Sequence, residues 1–530
     1  MTGNGPTDDG GTSAGRRRLR STVVFAAWTA VSRVAGLARE IIAAAMFGTS
    51  GMINLFTLAF QVPNLLRSLV ADSALSAAFI PVFTELEERD RADAARRLAM
   101  SLAALFSVVI GLVTLVAIIV APWVMPLLAP GASAEEADQL VLYAQIMFPI
   151  VPLLALTGLV MALLQIGDRF GATAFAPVLW NLVIIGSLGV SALTLEGDDR
   201  LIGYAVGIVV GTIGQLLFLL PWLRGLGPFP WPHELWNDDV RRVITLMLPV
   251  VIGLGLINVN LVVGSVIANE VNLDEGVQPL NLAFRLYILP QGVFSVAVAT
   301  VLFPAIGRLA ARGDLSELRR TVVGGLRQIF AVLVPASLGM ILLAEPVVRL
   351  VYERGEFDAA STELTAGALL YYSLGLVFNG ASLLVIRTFF GLQRPWVPTG
   401  VAGLGVVLFA PLAWLLSRSM GIDGIALATS IVSLVTFVAL LELLRRRLGG
   451  ISAPRLVDGF ARSLAAGIPA ALVALVTWWA IDAAVGRELW GQILSLGAAA
   501  LVGTATLLLA AFVVRLDELR ELARQGLSLP

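Results

Sequence analysis

From Thr22 to Val514 the chain is a succession of apolar runs, each of about 20 residues and each long enough, as a helix, to cross about 30 Å of hydrocarbon. Packing such runs into a water-soluble core would demand far more polar surface than this chain has. Only 14% of its 530 residues are charged, where soluble domains carry about a quarter, and 58% are hydrophobic. The expected fold is therefore an all-α polytopic membrane protein. About fourteen transmembrane helices are read at 22–46, 53–80, 97–121, 138–165, 172–194, 200–223, 241–268, 278–304, 321–345, 362–390, 396–417, 421–444, 459–481 and 490–514.

Composition then removes several kinds of chemistry. There is no cysteine, so disulfides and thiolate sites are excluded. All 36 basic residues are arginine, so a phosphate-binding loop that depends on its lysine is excluded too. The single histidine, His233, sits in the loop stretch PFPWPHELW and reads as solvated. No segment between spans is long enough for a soluble catalytic domain. No cofactor, metal or nucleic-acid partner is expected; membrane lipid is.

The arginines predict the orientation. Arg16, Arg17, Arg18 and Arg20 precede the first span, and alternate loops carry groups such as Arg89, Arg91, Arg96 and Arg97, or Arg445, Arg446, Arg447 and Arg455. Loops of the other phase are poor in arginine, and PWVMPLLAPGASAEEAD and NEVNLDEG have none. By the positive-inside rule both termini are cytoplasmic, as an even number of spans requires. The expected organisation is a disordered cytoplasmic tail (1–21), an amino-terminal lobe (22–223), a carboxy-terminal lobe (241–444), two further helices (459–514) and a cytoplasmic tail (515–530). An internal echo supports two lobes of the same orientation. LAFQ at Leu58–Gln61 leads to Pro81, and LAFR at Leu282–Arg285 leads to Pro304, after nearly equal intervals. Two six-helix lobes would then face a central cavity, the place where transporters built from such repeats bind substrate.

Beyond those in the first two residues of a span, seven arginines fall inside the spans. Arg327, Arg387 and Arg462 lie close enough to span ends for their heads to reach the interface. Arg33, Arg39, Arg67 and Arg285 do not. Arginine at the centre of a membrane helix costs about 2.5–3.5 kcal/mol on insertion scales, so something must compensate. In SRVAGLARE, Ser32 to Glu40, Arg33 and Glu40 share nearly one helix face, and Gly36 between them leaves room for a close neighbour. In the second span Gln61, Asn64, Ser68 and Asp72 form a polar stripe with Arg67 at its edge, and Pro63 is expected to bend the helix or loosen a turn. Glu40 and Asp72 offer at most two carboxylates to four guanidiniums. The excess positive charge points to an anionic ligand, and the planar guanidinium fork suits phosphate. Arg33, Arg39, Arg67 and Arg285 are the candidate substrate-binding residues, supported by Ser32, Gly36, Glu40, Gln61, Asn64, Ser68 and Asp72. The alternative is that these arginines serve only to lock helices together.

Four ordered motifs resemble the MurJ/MviN family of lipid II flippases: SRVAGLARE, FQVPNLLRSLVADSALSAAFIPVFTE, RLYILPQGVFSVAVATVLFPAIGRLAA and LVYERGEF. The resemblance implies a fold of the multidrug/oligosaccharidyl-lipid/polysaccharide exporter type, working by alternating access in a bacterial cytoplasmic membrane. It implies a transporter, not an enzyme. Its substrate would be lipid II, undecaprenyl-diphosphate-MurNAc-pentapeptide-GlcNAc, with other cell-wall synthesis proteins as further candidate partners. It places the family's cavity arginines on Arg33, Arg39, Arg67 and Arg285, and a lipid-tail groove at the last two spans. Three departures stand out. Asn54 occupies a position where the family often has aspartate, and Ile288 one where some members have glutamate. The eleventh span, WVPTGVAGLGVVLFAPLAWLLS, has no carboxylate or amide for a sodium site. A non-transporting scaffold for cell-wall assembly and an exporter of another polyprenyl-linked oligosaccharide are the competing readings. YERGEF reads as a solvated turn or, alternatively, as part of an outer gate.

Overall fold

The computed structural model describes residues 9–70, 73–231, 234–516 and 518, with side chains described from Trp28 onward except those of 67–77, 250, 254 and 257. His233 and Asp72 lie outside the described residues, as do the side chains of Arg67 and Ser68. The chain is all-α, with no strand among the described residues. Twelve helical stretches among these residues are long and apolar enough to cross a membrane, and they coincide with the third to fourteenth expected spans. The first two expected spans include residues outside the described set. There, α1 (Asp9–Phe47) is helical from further toward the amino terminus than the expected 22, and α2 (Met52–Val70) and α3 (Ser73–Glu88) lie on either side of residues 71–72, which are outside the described set. The α2 helix continues through Pro63.

Contacts divide the chain into two compact units. The first holds residues 1–46, 58–128 and 132–255; the second holds 47–57, 129–131 and 256–530. In the first unit, α4 (Ala92–Val124), α5 (Ala134–Met147) and α6 (Ile150–Ile166) pack with α3, and α7 (Phe170–Thr194) and α8 (Asp199–Leu219) form a close pair. Local sequence explains the helix starts. Ser133 and Glu136 form a reciprocal capping box on α5, the Glu136 carboxylate accepting from Ser133 N–H at 2.7 Å. The long α9 (Asp238–Val271) is shared between the units, dividing after Gly255.

The second unit is built around α14 (Ala359–Gly391), which touches α10 (Val277–Pro290), α11 (Val296–Arg312), α12 (Leu315–Leu342), α13 (Ala344–Tyr352) and α16 (Ile422–Arg447). A π-helical turn, Gln291–Ser295, joins α10 to α11. The α15 helix (Trp396–Met420) packs on α16, while α17 (Ala453–Val485) packs on α12 and α18 (Leu489–Val513) on α17. Small residues permit this closeness: a Cβ on Gly375 of α14 would come within 2.7 Å of Ser430 Cα on α16, and the Ser430 hydroxyl donates to Tyr371 O at 2.6 Å.

Hydrophobicity does not predict burial. The most apolar span, Ala92–Leu128, is only 17% buried over its apolar window, whereas the less apolar Ala359–Gly391 is 61% buried. Val108, Leu112, Leu115 and Ile119 project from α4 with no protein over them. In water such a surface would drive aggregation; in lipid it is the ordinary exterior.

Candidate functional site

The candidate residues of α1 separate into two environments. Arg33 is exposed and makes no ion pair among the described residues, with Ser32 and Gly36 half-buried nearby. Six residues on, Arg39 is 7% exposed and Glu40 is 6% exposed. The two form a buried ion pair, and the Arg39 guanidinium stacks 4.8 Å from the centre of the Trp180 ring on α7. Trp180 is itself fixed by an indole N–H donated to Thr212 Oγ1 on α8 at 3.1 Å. A six-residue step turns a helical side chain about 120° from its starting face, which separates Arg39 from Arg33. Gly36 faces the Asn181 amide of α7, at 3.8 Å from where its Cβ would be. The charge on Arg39 is thus met inside the first unit; that on Arg33 is not.

In α2, Gln61 and Asn64 are half-buried. In the second unit Arg285 is half-buried on α10, beside a cluster of Phe284, Tyr287 and Tyr372 whose ring centres lie 5.5–5.7 Å apart. Ile288, one turn further along the same face, is exposed, so α10 places no carboxylate beside Arg285. Leu58 and Ala59 in one unit and Leu282 and Ala283 in the other, the residues of the internal echo, are all fully buried.

Asn54 has a role that its sequence context did not suggest. Fully buried at the start of α2 and grouped with the second unit, it accepts hydrogen bonds from Val277 N at 3.0 Å and Gln278 N at 2.8 Å, capping α10 from another helix. Gly276, which precedes α10, has no side chain to do this. The Asn54 amide donates to Thr49 O at 2.7 Å and to Asp274 O. An aspartate could cap α10 but could not donate to those two carbonyls. Alongside, Thr57 donates to Gln278 Oε1 at 2.6 Å and Thr49 to Ser361 Oγ at 2.8 Å.

YERGEF is not a simple solvated turn. Tyr352 and Phe357 are fully buried with ring centres 5.7 Å apart, Arg354 closes α13 by donating to Val351 O, and Glu353 accepts from Thr362. Gly48, at φ +64°, backs onto this loop so closely that a Cβ would meet Glu356 O at 2.6 Å.

Arg327 and Arg462 find protein partners as well as the interface. Arg327 pairs with Glu518 at 2.5 Å and Asp458 at 3.5 Å, and Arg462 with Asp458 at 2.8 Å. Arg387 donates to Thr300 at 2.7 Å. A further buried pair, Arg349 with Asp482 at 2.5 Å, ties α13 to α17. Beyond the spans, Glu85 at the end of α3 is held below the usual carboxylate range by its hydrogen bond from Arg242 at 2.7 Å.

A bundle of membrane-length apolar helices with arginine placed among them defines a polytopic membrane protein. The fold matches the lipid II flippase MurJ in an inward closed conformation with a TM-score of 0.76, at 22% identity over 93% of this chain and 99% of that one. It also matches an inward-facing multidrug-resistance transporter of the MATE family, with a TM-score of 0.68 at 14% identity over 81% and 98%.

Sequence narrows the class to one family. Residues 43–496 match the family described as lipid II flippase MurJ. The lipid II flippase MurJ of Burkholderia cenocepacia is 30% identical over 88% of this chain and 90% of its own length. The probable lipid II flippase MurJ of Vibrio cholerae is 29% identical over 80% and 82%. The chain belongs to the MurJ family of lipid II flippases, which are transporters.

Proposed function

We propose that the chain carries lipid II, the undecaprenyl-diphosphate-linked peptidoglycan precursor, from the inner to the outer leaflet of the bacterial cytoplasmic membrane by alternating access. Arg33, Arg67 and Arg285 hold the diphosphate, with Gln61, Asn64, Ser68 and Asp72 as polar neighbours. Arg39, expected from the sequence to join them, instead anchors α1 through Glu40 and Trp180. The observation that carries the reading is Arg33: an exposed guanidinium on α1 that makes no ion pair among the described residues, in a member of a lipid II flippase family. A diphosphate supplies that missing charge and matches the guanidinium fork. The lobes are 22–223 and 241–444, both termini are cytoplasmic, and 459–514 receives the lipid tail on apolar side chains such as Leu501, Leu508 and Leu509, all exposed. Cell-wall synthesis proteins are its natural neighbours.

The test is made in bacteria depleted of their own lipid II flippase. This chain is expected to restore lipid II exposure at the outer leaflet, and Arg33→Ala, Arg67→Ala and Arg285→Ala to abolish it at equal membrane levels. Arg67→Lys should retain only part of the activity, because an ammonium cannot reproduce the fork. Full rescue by all three alanine variants would overturn the diphosphate role. Failure of the folded, inserted parent chain would favour the scaffold or another polyprenyl-linked cargo.

A further inference from the structure

The second unit contains a basic cavity remote in sequence from every residue discussed as a substrate ligand. It has a volume of about 830 Å³ and lies at the amino ends of α12 and α17, lined by Arg319, Arg320, Arg327, Ser452, Arg455 and Glu518 among others. That volume is large enough for a lipid headgroup as well as for a phosphate ion. Four guanidiniums surround it, and their local neutralisation is uneven. Arg320 pairs with Glu317, its Nε–H donating at 2.8 Å, and Arg327 pairs with Glu518. Asp458 is shared between Arg327 and Arg462. Arg319 donates only to the Leu315 carbonyl at 3.1 Å, and neither it nor Arg455 makes an ion pair among the described residues.

One helix end adds to this field. The cavity sits at the amino ends of α12 and α17; Asp314 caps the first, its carboxylate accepting from Glu317 N at 3.1 Å, but no side chain caps α17 at Ser452, whose partially positive end is left open. Glu518 is the one acidic residue in the lining. One of its oxygens sits on Arg327, while Oε2 is buried without a hydrogen-bond partner. The chain's own carboxylate therefore occupies part of a site whose remaining donors are unanswered. Both α12 and α17 are long and apolar enough to cross a membrane, and such a crossing would bring their ends near the level of lipid phosphates.

We propose that this cavity is a binding site for a phosphate-bearing anion, either the phosphodiester headgroup of an anionic lipid or free phosphate, with Arg319 and Arg455 as its principal ligands and Glu518 as the resident competitor. The site is distinct from the diphosphate site proposed above, and it is read by binding, so the two stand or fall separately.

The test uses the full chain in neutral detergent, with phosphatidylglycerol, phosphatidylcholine and inorganic phosphate as probes and native mass spectrometry as the readout. Phosphatidylglycerol should bind more tightly than phosphatidylcholine. The double variant Arg319→Gln, Arg455→Gln should weaken it by about 10- to 30-fold, the loss expected for two arginines near a lipid surface. Glu518→Gln should strengthen it several-fold, a change in the opposite direction that a general loss of fold cannot produce. Displacement of the lipid by inorganic phosphate at tens of millimolar would identify free phosphate as the ligand; persistence of the lipid would identify the headgroup. Equal binding of the two lipids by the parent chain, or unchanged phosphatidylglycerol binding in both variants, overturns the proposal.

Discussion

At the scale of single residues, burial decides what a charge is for. Arg39 and Glu40 neutralise one another inside the first unit, so removing either takes a buried ion-pair partner from the other. Arg39→Met should sharply reduce the amount of folded protein, on the order of the 3–5 kcal/mol lost when one partner of a buried pair is deleted. Arg39→Met combined with Glu40→Gln should recover most of it and still flip lipid II in the depletion assay. Recovery of protein without flipping would return Arg39 to the substrate. Asn54 is a second such residue, because five hydrogen bonds, the longest at 3.4 Å to Gly51 O, converge on one amide. Asn54→Ala leaves the Val277 and Gln278 N–H groups without their cap and should lower the thermal midpoint in detergent, corresponding to about 1–3 kcal/mol. Asn54→Asp should cost less, because a carboxylate still caps α10 and its charge suits a helix amino terminus. The reverse order would show that the carbonyl acceptors, not the cap, dominate.

At the scale of elements, the spans are read from apolar length with an error of a few residues, but the breaks within them are not. Proline alone does not mark them: Pro149 and Pro290 stand at breaks, but Pro63, Pro81, Pro249 and Pro304 all lie inside helices. In a bundle, neighbouring side chains and local adjustments satisfy the carbonyl a proline leaves free. The π-helical turn after Pro290 is one such adjustment. Helix starts at the membrane surface are more conventional. Asp358 caps α14 by accepting from Ser361 N at 2.8 Å, and that backbone bond holds its carboxyl below the usual range. A depressed folded-state pKa means the ionised cap stabilises α14 at neutral pH, and that this contribution disappears as pH falls from about 4 through the lower folded value. Thermal midpoints of the parent chain should therefore fall more steeply below pH 4 than those of Asp358→Ala. Parallel curves would show that Asp358 contributes nothing to the acid limb.

At the scale of the molecule, the last two helices are part of the second unit's stability. Arg327 on α12 and Arg349 on α13 take their carboxylates from α17 and the segment beyond α18. Truncation before Ala453 strips both arginines of these partners and uncovers α12, so the shortened chain should fail to accumulate, not merely lose transport. Normal membrane levels of the truncated chain would show that these pairs are dispensable. The sequence by itself determined the class, because twenty-residue apolar runs have no stable alternative to crossing a membrane. It also singled out an excess of intramembrane arginine, because charge in hydrocarbon is too costly to be incidental. Tertiary structure alone decided which arginine is answered. Arg39 meets Glu40 one residue away and Trp180 on a distant helix, Asn54 caps a helix more than 220 residues along the chain, and Arg327 waits for Glu518. Periodicity specifies the face of a helix on which a side chain stands; only the packing of other helices specifies what that face meets.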